Sequence, residues 1–172
     1  MSTFETIRAE CPSVRVEVLY CDLGDMQAVK KLFPQALHSM GGQIHVLVNC
    51  AGIQRRAKCV EFAEDMWDEV ILHHAMTSFQ PKSSHYFLQV LQTNLKSVFL
   101  LSQAAGQHMV PLRRGKIINF CSLLTFQGGL VVPAYAAAKG GLGQLTKSMA
   151  NEWSKENVQV NAICPGYVKT DM

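Results

Sequence analysis

An α/β fold with a parallel sheet is predicted by three observations. Short aliphatic runs alternate with segments of helical period. One of these runs is nearly continuous in apolar residues, as expected for a strand covered on both faces. Charged residues make up only 17% of the 172, against 48% hydrophobic. That balance suits a sheet held between helix layers.

In chain order, a short helix-like segment precedes the first predicted strand, Val14–Tyr20 (VRVEVLY). Asp25 then stands as N-cap to a helix over Met26–Met40, with Val29, Leu32, Phe33, Ala36 and Leu37 on one stripe. Pro34 lies inside that stripe and is expected to kink or shorten the helix. Ile44–Val48 (IHVLV) is the near-continuous aliphatic strand. Helices follow over Phe62–Ile71 and Leu95–Met109, then a strand over Lys116–Phe120. A helix over Ala134–Lys155 and a strand over Val158–Ile163 complete the order. No repeat or linker divides the chain, so residues 1–172 read as one domain. Residues 72–91 (LHHAMTSFQPKSSHYFLQVL) have no clean period and read as an atypical insertion.

Composition excludes several classes. A formal charge of +3, without a basic run or an aromatic platform, does not suit nucleic acid. The N-terminus is charged rather than apolar, and no run approaches membrane-spanning length. A soluble, cytoplasmic protein is the expectation. Six cysteines contain no CxxC pair, and His73, His74 and His85 lack ligand spacing, so no metal is expected. Cys50, Cys121 and Cys164 fall at the ends of three successive strands, where packing is the first reading and redox sensitivity, which requires a lowered thiol pKa, the alternative.

The chemistry concentrates in Ser122, Tyr135 and Lys139. Tyr135 and Lys139 are four apart on a helix and share a face. A phenol ionises near ~10, and an adjacent ammonium is expected to draw Tyr135 down toward use as a base. Ser122, just past a strand, stands at the carboxyl edge where α/β sheets present ligands. YxxxK alone is a weak signal. Its setting is stronger: Asn49-Cys50-Ala51-Gly52 after one strand, then Asn94, Ser122, Tyr135 and Lys139, then Pro165-Gly166 after the last strand. Gly140-Gly141-Leu142-Gly143 lies inside the Lys139 helix and follows no strand. It reads as a close-packing surface rather than a phosphate loop.

This ordered set resembles the short-chain dehydrogenase/reductase family from about Ile7 to Met172. The resemblance implies a partial, doubly wound Rossmann-type parallel sheet. It further implies hydride transfer between NAD(P), with NAD slightly favoured, and a secondary alcohol or ketone. Tyr135 would be the acid/base, Ser122 would orient the substrate oxygen, and Asn94 would hold a water linking Lys139 to solvent. Lys139 would lower the Tyr135 pKa and contact the nicotinamide ribose. Cofactor contacts would come from Asp22, Asn49, Ala51, Gly52, Pro165, Gly166, Val168 and Thr170. The stretches AGIQRR, FQGG and YAAAKGG look like the branch acting on deoxy-gluconate and keto-deoxy-gluconate. Arg55 or Arg56 could then pair with a sugar-acid carboxylate, with Gln127 beside the substrate. A homo-oligomer is expected of a complete family member.

Departures from the family pattern support a rival reading, an inactive fragment or interaction remnant. The glycine-rich pyrophosphate turn is missing, as are the first two strands and the last. Val14–Tyr20 is left without a neighbour and the edge of Ile44–Val48 without a partner, which predicts marginal stability or a non-native pairing of the two. Removing residues 72–91 joins Val70-Ile71 to Gln92-Thr93-Asn94, as a retained intron or a loop insertion would explain. The insertion is expected to threaten the placement of Asn94.

Overall fold

Three of the four predicted strands hydrogen-bond to one another. The computed structural model describes residues 3–61 and 90–168. β1 (Val46–Asn49), β2 (Gly115–Phe120) and β3 (Val158–Ile163) form a parallel sheet in the order β1-β2-β3. The register pairs Asn49 with Asn119 and Phe120 with Ile163, so all three strands end at one carboxyl edge. Helix α1 (Thr3–Glu10) precedes α2 (Met26–Ser39), and α3 (Ser97–Met109) and α4 (Pro133–Trp153) follow β1 and β2.

The predicted strand Val14–Tyr20 is a correction. Among the described residues it pairs with no strand, and Val14, Val18 and Leu19 are exposed, with Tyr20 95% so. Alternation supplies the residues of a strand, but only a partner's N–H and C=O groups make one. It does not pair with β1 either, whose Val46 and Val48 are each 50% exposed. Helix α2 forms where its periodicity places it. The Asp25 carboxylate accepts from the amides of Gln27 at 2.8 Å and Ala28 at 3.3 Å, satisfying two first-turn donors. The helix runs through Pro34 to Ser39, longer than the proline led us to expect. The Lys30 carbonyl that Pro34 leaves without an amide belongs to an exposed residue that water can reach.

The core lies on one side of the sheet. Val29 and Phe33 of α2, Leu101, Ala105 and Met109 of α3, and Met149 of α4 pack with Ile117, Val158 and Val160. Along β2 burial alternates, with Gly115, Ile117 and Asn119 buried and Lys116 exposed between them. Among the described residues, helices therefore cover one face, not the two predicted. Val46, Val48, Lys116 and Ile163 look outward, and Lys116 Nζ donates to Gln159 Oε1 at 2.8 Å on that face. The helix predicted over Phe62–Ile71, most of the insertion, and His73, His74 and His85 lie outside the described residues.

Buried polar side chains bind the layers together. Asn49 Nδ2 donates to Ser102 Oγ at 3.1 Å and to Asn119 Oδ1 at 2.9 Å. Asn119 Nδ2 donates to Thr146 Oγ1 at 2.9 Å, and Thr146 Oγ1 donates to the Leu142 carbonyl at 2.8 Å. The chain runs from α3 through β1 and β2 to α4. A buried network of this kind fixes register, because any slip leaves polar groups unpaired.

Candidate active site

The carboxyl edge of the sheet is built by the turn after β2. Ser122 ends the strand extended and caps the short 3-10 turn Leu123–Thr125. Its Oγ accepts from the Leu124 amide at 3.2 Å, and its own amide donates to Thr125 Oγ1 at 3.2 Å. This reciprocal pair is a capping box. Thr125 Oγ1 also donates to the Lys139 carbonyl at 3.0 Å, which ties the turn carrying Ser122 to the helix carrying Tyr135 and Lys139. Gly143 permits that approach: a Cβ there would run into Thr125 Cγ2. Gly141 lies against Leu95, so the glycine run serves packing within the chain. Thr125 is a positioning residue the sequence reading missed; its signal was the S-x-x-T spacing from Ser122.

Tyr135 and Lys139 stand side by side as predicted, with Lys139 Nζ 5.6 Å from the Tyr135 ring centroid. The ammonium is buried, 4% exposed, and donates to the Phe120 carbonyl at the end of β2. Burial lowers the Lys139 pKa from its ordinary value. Tyr135 corrects the expectation of a lowered phenol. Burial raises its pKa, and the opposing hydrogen bond from Ser122, which favours the phenolate, is the smaller effect. The lysine is engaged with a backbone carbonyl and lies over the ring, so desolvation decides the direction. Tyr135 is a held acid in this site, its upward shift opposed in part by Ser122.

Asn94 keeps its place despite the insertion. It lies in a π-helical turn, Gln92–Lys96, before α3, a local widening often found at functional sites. Its Nδ2 donates to the Ile53 carbonyl at 2.6 Å, and its Oδ1 accepts from the Ile53 amide at 2.9 Å. A Cβ at Gly52 would stand 2.8 Å from Asn94 Oδ1 and 3.7 Å from Lys139 Nζ. Gly52 is therefore wedged between the two. Ile53, also missed from sequence, clamps Asn94 and packs with Tyr135 and Ala134.

The remaining candidates spread outward. Asn49 turns its side chain into the core network and pairs with Asn119 at the end of the β1–β2 ladder. Ala51 is exposed next to Gly52. The Pro165 carbonyl accepts from the Leu123 amide at 3.2 Å, and Gly166 lies against Leu123, so the loop after β3 meets the Ser122 turn. Val168 is exposed, and Thr170 lies outside the described residues. Asp22 is exposed, and its carboxylate closes a turn on the Gly24 amide at 2.8 Å. Arg55, Arg56 and Gln127 are exposed on neighbouring loops, with Arg55 donating to the Gln54 carbonyl at 2.9 Å. Among the described residues no group of three or more His, Cys, Asp or Glu could hold a metal, and no helix is long and apolar enough to cross a membrane.

Comparison with known proteins identifies the family. The family described as short chain dehydrogenase matches residues 2–172. The 2-dehydro-3-deoxy-D-gluconate 5-dehydrogenase of Bacillus subtilis is 42% identical over 149 residues, 87% of this chain and 50% of the relative. Its namesake in Escherichia coli is 41% identical over 154 residues, 89% of this chain and 53% of the relative. A gluconate 5-dehydrogenase from Burkholderia cenocepacia, solved with NADP and tartrate, superposes with a TM-score of 0.68 at 31% identity. That match covers 87% of this chain and 51% of the solved one. The chain thus spans about half the length of the relatives it matches. A Ser122–Tyr135–Lys139 cluster at the carboxyl edge of a parallel sheet, together with a family match over nearly every residue, leads to one conclusion: the chain belongs to the short-chain dehydrogenase family.

Proposed function

We propose that this chain carries the proton-transfer half of an NAD(P)-dependent oxidoreductase acting on a secondary alcohol or ketone of a sugar acid. The observation that carries the reading is the Lys139 ammonium, buried 5.6 Å from the Tyr135 ring, with the capped turn that carries Ser122 tied to the same helix through Thr125. The residues present fit the nicotinamide end of such a cofactor. A phenol, a hydroxyl and an ammonium converge at the sheet edge, and the Gly52 backbone lies beside Lys139 with no Cβ between them. Tyr135, Lys139, the 49–52 backbone, Pro165, Gly166, Val168 and Thr170 would hold it, with Asp22 toward its adenine. NADP is the form bound in the Burkholderia structure, and no finding supports the preference for NAD.

The bound cofactor would supply or accept the hydride. Tyr135, kept protonated by burial, gives its proton to a ketone oxygen in the reducing direction and takes it back in the oxidising one. Ser122 holds the same oxygen by donating its hydroxyl proton to it, which steadies the charge that develops there. Lys139 offsets that negative charge from the adjacent helical turn, and Asn94 would order a water on its solvent side. Arg55 or Arg56 would supply the cationic partner of a substrate carboxylate, with Gln127 beside the substrate.

A second reading, that these residues alone do not turn over, is favoured by one feature. Among the described residues, no strand leads through a glycine-rich turn into a helix that could take a pyrophosphate. Calorimetric titration of the purified chain with NADPH and NADH separates the two readings, followed by an assay on 2-dehydro-3-deoxy-D-gluconate. Binding with turnover that Tyr135→Phe abolishes supports the oxidoreductase. Absence of binding supports the second reading, and turnover that survives Tyr135→Phe refutes the assigned role.

A further inference from the structure

We propose that Cys121 and Cys164 are a dithiol that a hydroperoxide oxidises to an intramolecular disulfide, fastening the loop after β3 to the turn that carries Ser122. The register carries the argument. Phe120 pairs with Ile163, so Cys121 and Cys164 are the next cross-strand neighbours. The Cys121 amide donates to the Ile163 carbonyl at 2.8 Å, which holds the strands together at that point. Burial alternates along β2, and Cys164 has the same parity as the buried Val158 and Val160 of β3, so the two side chains fall on the helix-covered face. There they share one apolar cluster with Val98 and Leu142. Adjacent parallel strands lie about 4.8 Å apart, inside the ~4.4–6.8 Å between Cα atoms that a disulfide bridges. The Cβ atoms need to close by under about 1 Å. Cys164 stands at the end of its strand, where the Pro165 loop can yield.

Access and charge suit the same pair. Both thiols line a cavity of about 230 Å³ with Thr125, Phe126, Gly143 and Lys147 among its walls. Cys121 is 4% exposed whereas Cys164 is half-buried, so Cys164 is the group a small peroxide reaches. The Lys139 ammonium acts on the Cys121 thiol, opposing in part the upward push of burial. Burial pushes the Cys121 thiol up, which suits a resolving partner rather than the first nucleophile. The Cys164 thiolate attacks the hydroperoxide, an S–O bond forms, the O–O bond breaks, and water leaves with the proton. The Cys121 sulfur then displaces hydroxide from the Cys164 sulfenic acid, and a second water departs. Two thiols are oxidised and one hydrogen peroxide is reduced to two waters.

The consequence follows from the loop contacts. Pro165 already accepts from Leu123, so a bridge one residue earlier would lock the 165–168 loop against the Ser122 turn. The test treats the purified chain with limiting hydrogen peroxide, alkylates it under denaturing conditions, and maps the peptides by mass spectrometry. Two of the six cysteines should become unreactive to alkylation. A peptide bearing Cys121 should be joined to one bearing Cys164 within a single chain, and dithiothreitol should release it. Cys121→Ala should instead accumulate a dimedone adduct at Cys164, a readout that requires no bridge. Cys164 paired with Cys50, or Cys121 still alkylatable while Cys164 passes to sulfinic acid, would overturn the proposal. Absence of the dimedone adduct would overturn the order of attack.

Discussion

Gly52→Ala tests how tightly the site is built. Gly52 does not have a positive φ, so alanine meets no backbone penalty there and its cost is steric. The new methyl would sit 2.8 Å from Asn94 Oδ1, closer than carbon and oxygen approach without displacement. Asn94 has nowhere to go: it is fully buried and bonded twice to the Ile53 backbone. Overpacking at such a point costs about 1–3 kcal/mol, and each displaced hydrogen bond about 1 kcal/mol more. For a chain of this size the melting temperature falls by about 2–4 °C per kcal/mol. Asn94→Ala removes the atom in conflict, at its own cost of about 1–3 kcal/mol for each Ile53 group left unpaired. In that background the nearest remaining contact is Lys139 Nζ at 3.7 Å, an ordinary separation, so Gly52→Ala should cost almost nothing. Urea unfolding of the two single variants, the double variant and the parent gives the coupling energy. Equal costs for Gly52→Ala in both backgrounds would refute the wedge.

The same logic applies at the other close approach, where Gly143→Ala collides with Thr125 Cγ2. It should destabilise by about 1–3 kcal/mol, and Thr125→Ser, which deletes that methyl and keeps the hydroxyl, should recover most of the loss in thermal melts. Lys139→Met should change how stability depends on pH. A lowered lysine pKa means the folded state favours the neutral amine, so the parent bears the cost of a buried charge below that pKa and sheds it as pH rises toward ~10.4. Relative to Lys139→Met, the parent should therefore gain stability as pH climbs through the alkaline range, and a constant difference between the two would count against it. At the open edge, Val46→Lys with Val48→Lys should reduce self-association measured by light scattering, because charge on an unpaired strand opposes edge-to-edge pairing.

The sequence by itself determined the elements whose evidence is local. Asp25 before an apolar stripe placed α2, and the aliphatic runs placed β1, β2 and β3 to within two residues. The four-residue step from Tyr135 to Lys139 placed both on one helix face, since each signal depends on backbone periodicity or a single cap. Tertiary structure alone decided everything that needs a partner distant in the chain. Val14–Tyr20 has the pattern of a strand yet remains unpaired, because a strand is completed by another strand's hydrogen-bonding groups. The sheet takes helices on one described face only, although its apolar composition pointed to two. The direction of the Tyr135 shift could not be read from spacing either. It depends on how much water the fold removes from the phenol and on Lys139 turning to the Phe120 carbonyl. Ile53 and the Asn49–Asn119–Thr146 chain escaped notice for the same reason: their partners lie 27 to 70 residues away, and no local period records a contact made only when the layers close.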